Sequence, residues 1–158
     1  WGVEADVLFR PIPELELTAN YAYTNAAYVE FEFGGRDLKD DPFARAPKNV
    51  YSLGARYTAD TGMWMGELST GANYFHTDGY NANETFARGF TEIHGYSLVN
   101  ADIGFRNFIR DGVDLRFFVT NLTNEQYEFL GINLDSLGYT SHMAGTPRTF
   151  GVSGRFRF

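Results

Sequence analysis

Apolar and polar residues alternate at a strict period of two in seven windows of the chain: 3–10, 15–25, 50–58, 64–75, 96–106, 113–120 and 149–158. Twelve charged residues fall inside these windows, and all twelve share one phase: Glu4, Asp6, Arg10, Glu16, Arg56, Glu67, Asp102, Arg106, Asp114, Arg116, Arg155 and Arg157. The other phase carries Val3, Val7 and Phe9, then Leu17, Ala19 and Tyr21, then Leu53, Ala55 and Tyr57, and continues in this way to Phe156 and Phe158. Neighbouring side chains on a strand point to opposite faces, so each phase lines one face. The spacing predicts seven strands that build a sheet with one apolar and one polar side.

The predicted connections alternate in length. Pro11 to Glu14, Ala59 to Gly62 and Asn107 to Gly112 are short and rich in turn formers, whereas 34–48, 77–95 and 124–147 are long and polar. Short turns on one rim and long loops on the other are the habit of outer-membrane barrels. Aromatic residues of the apolar phase sort in the same way. Phe9, Tyr57, Trp64, Phe105 and Phe158 fall near the short-turn rim, and Tyr21, Tyr23, Tyr51, Tyr74 and Phe150 toward the long-loop rim. Aliphatic Leu53, Ala55, Leu68, Ala72, Ala101, Ile103 and Val152 lie between. Such girdles place amphipathic rings at headgroup depth. The fold expected is all-β, an antiparallel transmembrane β-barrel segment of about seven strands. The rival is a soluble sandwich that buries the apolar phase between two sheets.

Composition narrows the picture. With 158 residues and no apolar run near the ~20 that a membrane helix needs, helical spans are excluded, but strands that cross a membrane are not. A net charge of −7 argues against nucleic acid as a partner, and the lack of Cys excludes thiol chemistry. Bacterial single-chain barrels have even strand numbers, and bare sheet edges are not tolerated in hydrocarbon. Seven strands, opening in mid-pattern at Trp1-Gly2-Val3, therefore lead to the expectation of part of a larger barrel.

Catalytic chemistry is hard to find in the pattern. His76, His94 and His142 are isolated and lie in or beside long loops, so an outer-membrane hydrolase, which needs a Ser or Asp beside a His at the rim, has no convincing pair. Asp40-Asp41 and the group Asp78, Asn81, Asn83 and Glu84 are rich in oxygen but lack EF-hand spacing. No metal site and no cofactor are assigned.

The closing run Gly145-Thr146-Pro147-Arg148-Thr149-Phe150-Gly151-Val152-Ser153-Gly154-Arg155-Phe156-Arg157-Phe158 resembles the last strand of TonB-dependent outer-membrane receptors. Phe118-Val119-Thr120-Asn121-Leu122-Thr123-Asn124-Glu125-Gln126-Tyr127 is similar to the segment that ends that family's penultimate strand, with Thr123-Asn124 where Phe-Asp is common. Arg10 to Leu17 with Asn20 to Thr24, and Ala46-Pro47-Lys48-Asn49-Val50, resemble two further recurrent pieces of the family.

The resemblance implies a 22-stranded barrel, of which residues 1–158 would be the last third, strands sixteen to twenty-two, with the plug and earlier strands absent. It implies active uptake of a scarce ligand, most simply a ferric siderophore, with cobalamin or oligosaccharide as alternatives in the same class. A passive porin-like channel is the rival without a plug. The expected partners are outer-membrane lipid, the rest of the barrel and its plug, an inner-membrane energy transducer reached through that plug, and a metal-chelate ligand. The expected location is the bacterial outer membrane with a periplasmic C-terminus. On this reading Arg56, Glu67, Asp102, Arg106, Arg116 and Arg155 face the lumen and plug. Arg36, Arg45, Tyr80, Arg88, His142 and Arg148, cations and aromatics of the long loops, suit an anionic, partly aromatic ligand. Phe150, Val152, Phe156 and Phe158 resemble the family's membrane-insertion signal.

Overall fold

A computed structural model describes residues 1–62, 65–82, 91–134 and 137–157. Seven long strands form one antiparallel sheet: β1 Gly2–Ile12, β2 Leu15–Thr24, β5 Asn49–Asp60, β6 Glu67–Thr77, β9 Tyr96–Arg106, β10 Val113–Thr120 and β13 Thr149–Phe156. They follow one another in the order β1-β2-β5-β6-β9-β10-β13, so each lies beside the next along the chain. Three small hairpins occupy the intervening loops: β3 Glu32–Phe33 with β4 Arg36–Asp37, β7 Tyr80–Asn81 with β8 Glu92–Ile93, and β11 Glu128–Leu134 with β12 Tyr139–Ala144. All seven predicted windows are strands. The fourth begins at Glu67, and Trp64, where that window opens, lies outside the described residues.

Register shows how the phases combine. Leu17 faces Ala55, Ala55 faces Ala72, Ala72 faces Ala101, and Ala101 faces Val119. A second apolar row runs from Val7 through Ala19, Leu53 and Tyr74 to Val99. Directly opposed residues share a face, so the apolar phases of all seven strands join into one surface. That surface is uncovered: Val7, Phe9, Leu53, Ile103, Phe117, Phe150 and Val152 are all exposed, the last two at 70% and 64%. Soluble proteins do not leave an apolar sheet face bare over this extent. Among the described residues no second sheet packs on it, contrary to the sandwich alternative. No described helix is long and apolar enough to cross a membrane.

Burial sits elsewhere. Among the described residues, Leu38, Ala82, Thr91, Ile93 and Gly131 are buried within the long loops, and Thr77 and Asn121 at the adjoining strand ends. The loop layer at the long-loop rim thus has a small core of its own. The predicted long loop 124–147 is largely the β11–β12 hairpin. Its Phe129-Leu130 and Ile132 to Leu134 break the clean alternation that marks the wall strands, so the pattern predicts a loop where the hairpin forms.

The opposite rim carries the tight turns. Gly62 adopts a φ of +61° that glycine reaches without strain, and its N–H donates to Asp60 Oδ1 at 2.9 Å.

Candidate functional site

The polar face is hollow. Among the residues lining a concavity of about 490 Å³ are Glu16, Thr18, Arg56, Asn73, Asp102 and Arg116, which belong to the polar phase. At its centre Asp102 accepts from two guanidinium groups. Arg56 Nη2 lies 3.0 Å and Arg116 Nη2 3.2 Å from the same Oδ1. Gly71 lies between Arg56 and Asp102 in the register row, and a Cβ there would sit 2.9 Å from Arg56 Nη2. The missing side chain lets the guanidinium cross one whole strand. Asp102 is well covered (11% exposed), but both arginines are about half exposed, so water screens the cluster and most of its value lies in fixing geometry. The cluster carries a net positive charge toward the hollow.

Other pairs of this face gather at the short-turn rim. Glu67 meets Arg106 at 3.3 Å, Arg10 meets Glu16, and Arg157 meets Asp114 at 2.9 Å. Arg155 stands opposite Asp114 in register, although the Asp114 carboxylate accepts from Arg157.

The long loops are tied to one another by two of the residues singled out from sequence. Arg45, at a φ of +56°, donates its backbone N–H to Asn81 O (2.7 Å) and its Nε–H to Ala82 O (3.1 Å). Tyr80 donates its hydroxyl to Phe129 O at 2.8 Å. Burial raises the Tyr80 phenol above its usual range, with the Arg45 charge acting in the opposite sense. The first loop is thereby joined to the second and the second to the third. Arg45 and Tyr80 share one cavity, together with Phe75, Tyr96 and Phe129.

The remaining predicted residues are dispersed. Arg36 sits on the exposed β3–β4 hairpin, whose tip uses Gly34 and Gly35 at positive φ. His142 Nδ1 lies 2.6 Å from Glu128 Oε2 across the β11–β12 pair. Arg148 lies over the Phe150 ring, 5.8 Å from its centroid, beside the edge strand β13. Arg88 and Phe158 lie outside the described residues, as do Asn83 and Glu84. Phe150, Val152 and Phe156 line the exposed apolar side of β13. Among the described residues no group of three His, Asp or Glu could hold a metal. Asp78 and Asn81, of the oxygen-rich group, are bonded to Asn49 and Thr91 respectively.

Sequence reading missed a chain of polar contacts on the outer girdle. Tyr21 donates to Asn49 Oδ1 (2.8 Å), and Asn49 donates to Asp78 through its amide (2.6 Å) and its backbone N–H (3.0 Å). His76 lies between Asp78 and the Ser97 hydroxyl, which also meets Tyr74. A Ser and an Asp therefore do flank a rim histidine. His76 Nε2 lies 3.4 Å from Asp78 Oδ1, and the Tyr51 ring lies against both Tyr74 and His76, so the group sits within the aromatic belt. Residues 49 and 78 are far apart in sequence, and only the turn of β5 against β6 brings them together.

This latch has a pH signature. The Asn49 side-chain hydrogen bond holds the Asp78 carboxyl below its ordinary value despite partial burial. A depressed carboxylate adds stability above its unfolded-state pKa, about 3.9, and loses it as pH falls through the lower folded value. Asp78→Ala should therefore be less stable than wild type at pH 7, and the gap should close only below about pH 4. Thermal unfolding at a series of pH values reads this directly; a gap that closes between pH 7 and 5 would contradict it.

An antiparallel sheet with an uncovered apolar face and a hollow, charged inner face defines the wall of a transmembrane β-barrel. The family "TonB dependent receptor-like, beta-barrel" matches residues 1–122, and the chain belongs to it. None of the curated proteins matches the chain. Among solved structures, the ferric yersiniabactin uptake receptor FyuA from Yersinia pestis superposes with a TM-score of 0.76 at 16% identity, over 99% of this chain and 23% of that one. The ferric-catecholate import receptor Fiu from E. coli K12 gives 0.75 at 23% identity, over 99% of this chain and 20% of that one. These likenesses speak for the fold, and the chain spans about a fifth of the length of either neighbour.

Proposed function

We propose that this chain is the C-terminal wall of an outer-membrane receptor that imports a scarce ligand, most simply a ferric siderophore, using energy delivered from the inner membrane. The observation that carries the reading is the register, which joins seven apolar phases into one exposed face and seven charged phases into one hollow face. The exposed face meets lipid. The edges β1 and β13 pair with further strands of the same barrel, because unpaired backbone groups in hydrocarbon cost several kcal/mol each. The hollow face meets a plug. Arg56, Asp102 and Arg116 hold it at mid-wall, and Glu67, Arg106 and Arg155 lie nearer the periplasmic rim. The last strand ends at that rim, so the C-terminus is periplasmic, and Phe150, Val152, Phe156 and Phe158 offer the assembly machinery an apolar edge. Arg36, Arg45, Tyr80, Arg88, His142 and Arg148 belong to the extracellular loops that meet the ligand. The named ligands of FyuA and Fiu, both ferric chelates, are consistent with iron as cargo.

The test is uptake of radiolabelled iron, supplied as a ferric siderophore, by cells that depend on the full-length receptor. Uptake should stop when a protonophore collapses the proton-motive force. Uptake that continues unchanged would mark a passive channel.

A further inference from the structure

We propose that the cavity at the long-loop rim is a subsite for an anionic aryl group of the imported ligand, a phenolate or catecholate arm of an iron chelate; this rests on the uptake reading above. The cavity measures about 380 Å³. Roughly 150 Å³ suffices for a benzene-sized ring, so one substituted arene fits with room for its attachment.

Its floor belongs to the hollow face of the wall. Val50, Thr77 and Tyr96 form one register row across β5, β6 and β9, and Phe75 lies one step down the same face of β6. The rings are already arrayed for stacking: Phe75 and Tyr96 are 6.2 Å apart, and Tyr96 and Tyr127 4.3 Å. Aromatic pairs at such separations favour offset or tilted contact, which an incoming ring can extend. The roof comes from the loops, through Arg45, Tyr80 and Phe129.

The chemistry of the lining selects among ligands. Arg45 is the charged residue among the described lining residues, and no described carboxylate lines the cavity with it. Its Nε–H is bonded to Ala82 O, which fixes the guanidinium while its Nη groups carry no bond among the described residues. An aryl oxyanion would meet a positioned cation there, in a partly desolvated place where a charge-assisted hydrogen bond is strong. A sugar would need several open polar partners. The hydroxyls of Tyr80 and Thr77 are already donated to the carbonyls of Phe129 and Asp78, so little polar capacity remains. An apolar, ring-lined cavity with one cation fits an anionic arene and fits a carbohydrate poorly.

The experiment titrates detergent-solubilised full-length receptor with two probes, a ferric tris-catecholate chelate and a ferric trihydroxamate chelate, following quenching of intrinsic fluorescence. Wild type should bind the catecholate chelate more tightly. Val50→Trp, which fills the cavity from the floor, and Tyr96→Leu, which removes its central ring, should each weaken that chelate about tenfold and leave the trihydroxamate unchanged. Heat-modifiable migration of both variants would show that the barrel is folded. Unchanged catecholate affinity in both folded variants, equal losses for the two chelates, or a wild-type preference for the trihydroxamate would overturn the subsite. A wild-type receptor that binds neither chelate, in a folded state, would overturn the iron-uptake reading and the subsite with it.

Discussion

Ala55→Arg should destabilise the full-length receptor by about 2–4 kcal/mol in a refolding assay in lipid vesicles, whereas Ser52→Arg should be nearly neutral. The two positions are three residues apart on β5 and differ in phase. Ala55 sits in the middle of an apolar row, between Leu17 and Ala72, with Ala101 one strand further. Aromatic positions lie above and below that level, Tyr51 toward the long loops and Tyr57 toward the short turns. An arginine at this depth has no polar partner on its own face and must snorkel or drag water into hydrocarbon. Ser52 opens instead onto the hollow face, where its hydroxyl donates to Asn20 Oδ1 at 3.1 Å and where Glu4 and Asp6 line the same recess. A guanidinium there gains water and carboxylates. Equal losses at the two positions would show that the faces are assigned wrongly, and with them the whole orientation of the wall. The measurement is the midpoint of urea unfolding at constant m-value, so that a change in stability is not confused with a change in exposed surface.

The wall was legible because lipid and water impose a period of two that local residues must obey. Charges such as Glu16, Arg56, Asp102 and Arg116 announce the inner face one residue at a time. What they bond to is a matter of register, and register cannot be read from any one strand. Asp102 meets Arg56 across an intervening strand at a place where Gly71 leaves space, and nothing in the local sequence of β9 reports a glycine on β6. The rim was less legible for a related reason. Its hairpins are short, its core is small, and its fixed points are carbonyls and side-chain amides whose partners are far away in sequence. Arg45 and Tyr80 were named from residue type alone, as a cation and an aromatic in long loops. That they share a cavity, and that each ties one loop to the next, follows from the close approach of three connections. The latch from Asn49 to Asp78 and the stacking of Tyr127 against Tyr96 were invisible on the same ground.

Asn121→Ala should cost about 2–3 kcal/mol, a large loss for a polar residue at the end of a strand. Asn121 directly follows β10 and is 3% exposed. Its φ of +51° turns the chain out of the wall, a conformation that asparagine tolerates and alanine resists. Its side chain then makes three bonds: Nδ2 donates to Glu125 O at 2.8 Å and to Thr146 O at 3.1 Å, and Oδ1 accepts from Glu125 N–H at 2.8 Å. The two ends of the third long loop are thereby held at one point. Next to that point the Tyr127 ring lies over Gly145, where any Cβ would collide with it, and Gly145 N–H donates to Tyr127 O at 2.7 Å. Alanine at 121 leaves two carbonyls and one amide without these partners at a part-buried point, where a fully buried group so left would cost about 1–3 kcal/mol and water offsets some of that here. Two further variants separate the contributions. Asn121→Gly relieves the backbone but loses the side-chain bonds, so it should recover only about 1 kcal/mol relative to alanine. Asn121→Asp keeps the acceptor for Glu125 N–H but turns an oxygen toward two carbonyls, so it should be at least as harmful as alanine at neutral pH. Limited proteolysis should cut all three variants within 124–147 faster than wild type while the strands stay protected. Glycine as stable as wild type would mean that the backbone turn, and not the closed ring of hydrogen bonds, holds the loop to the wall.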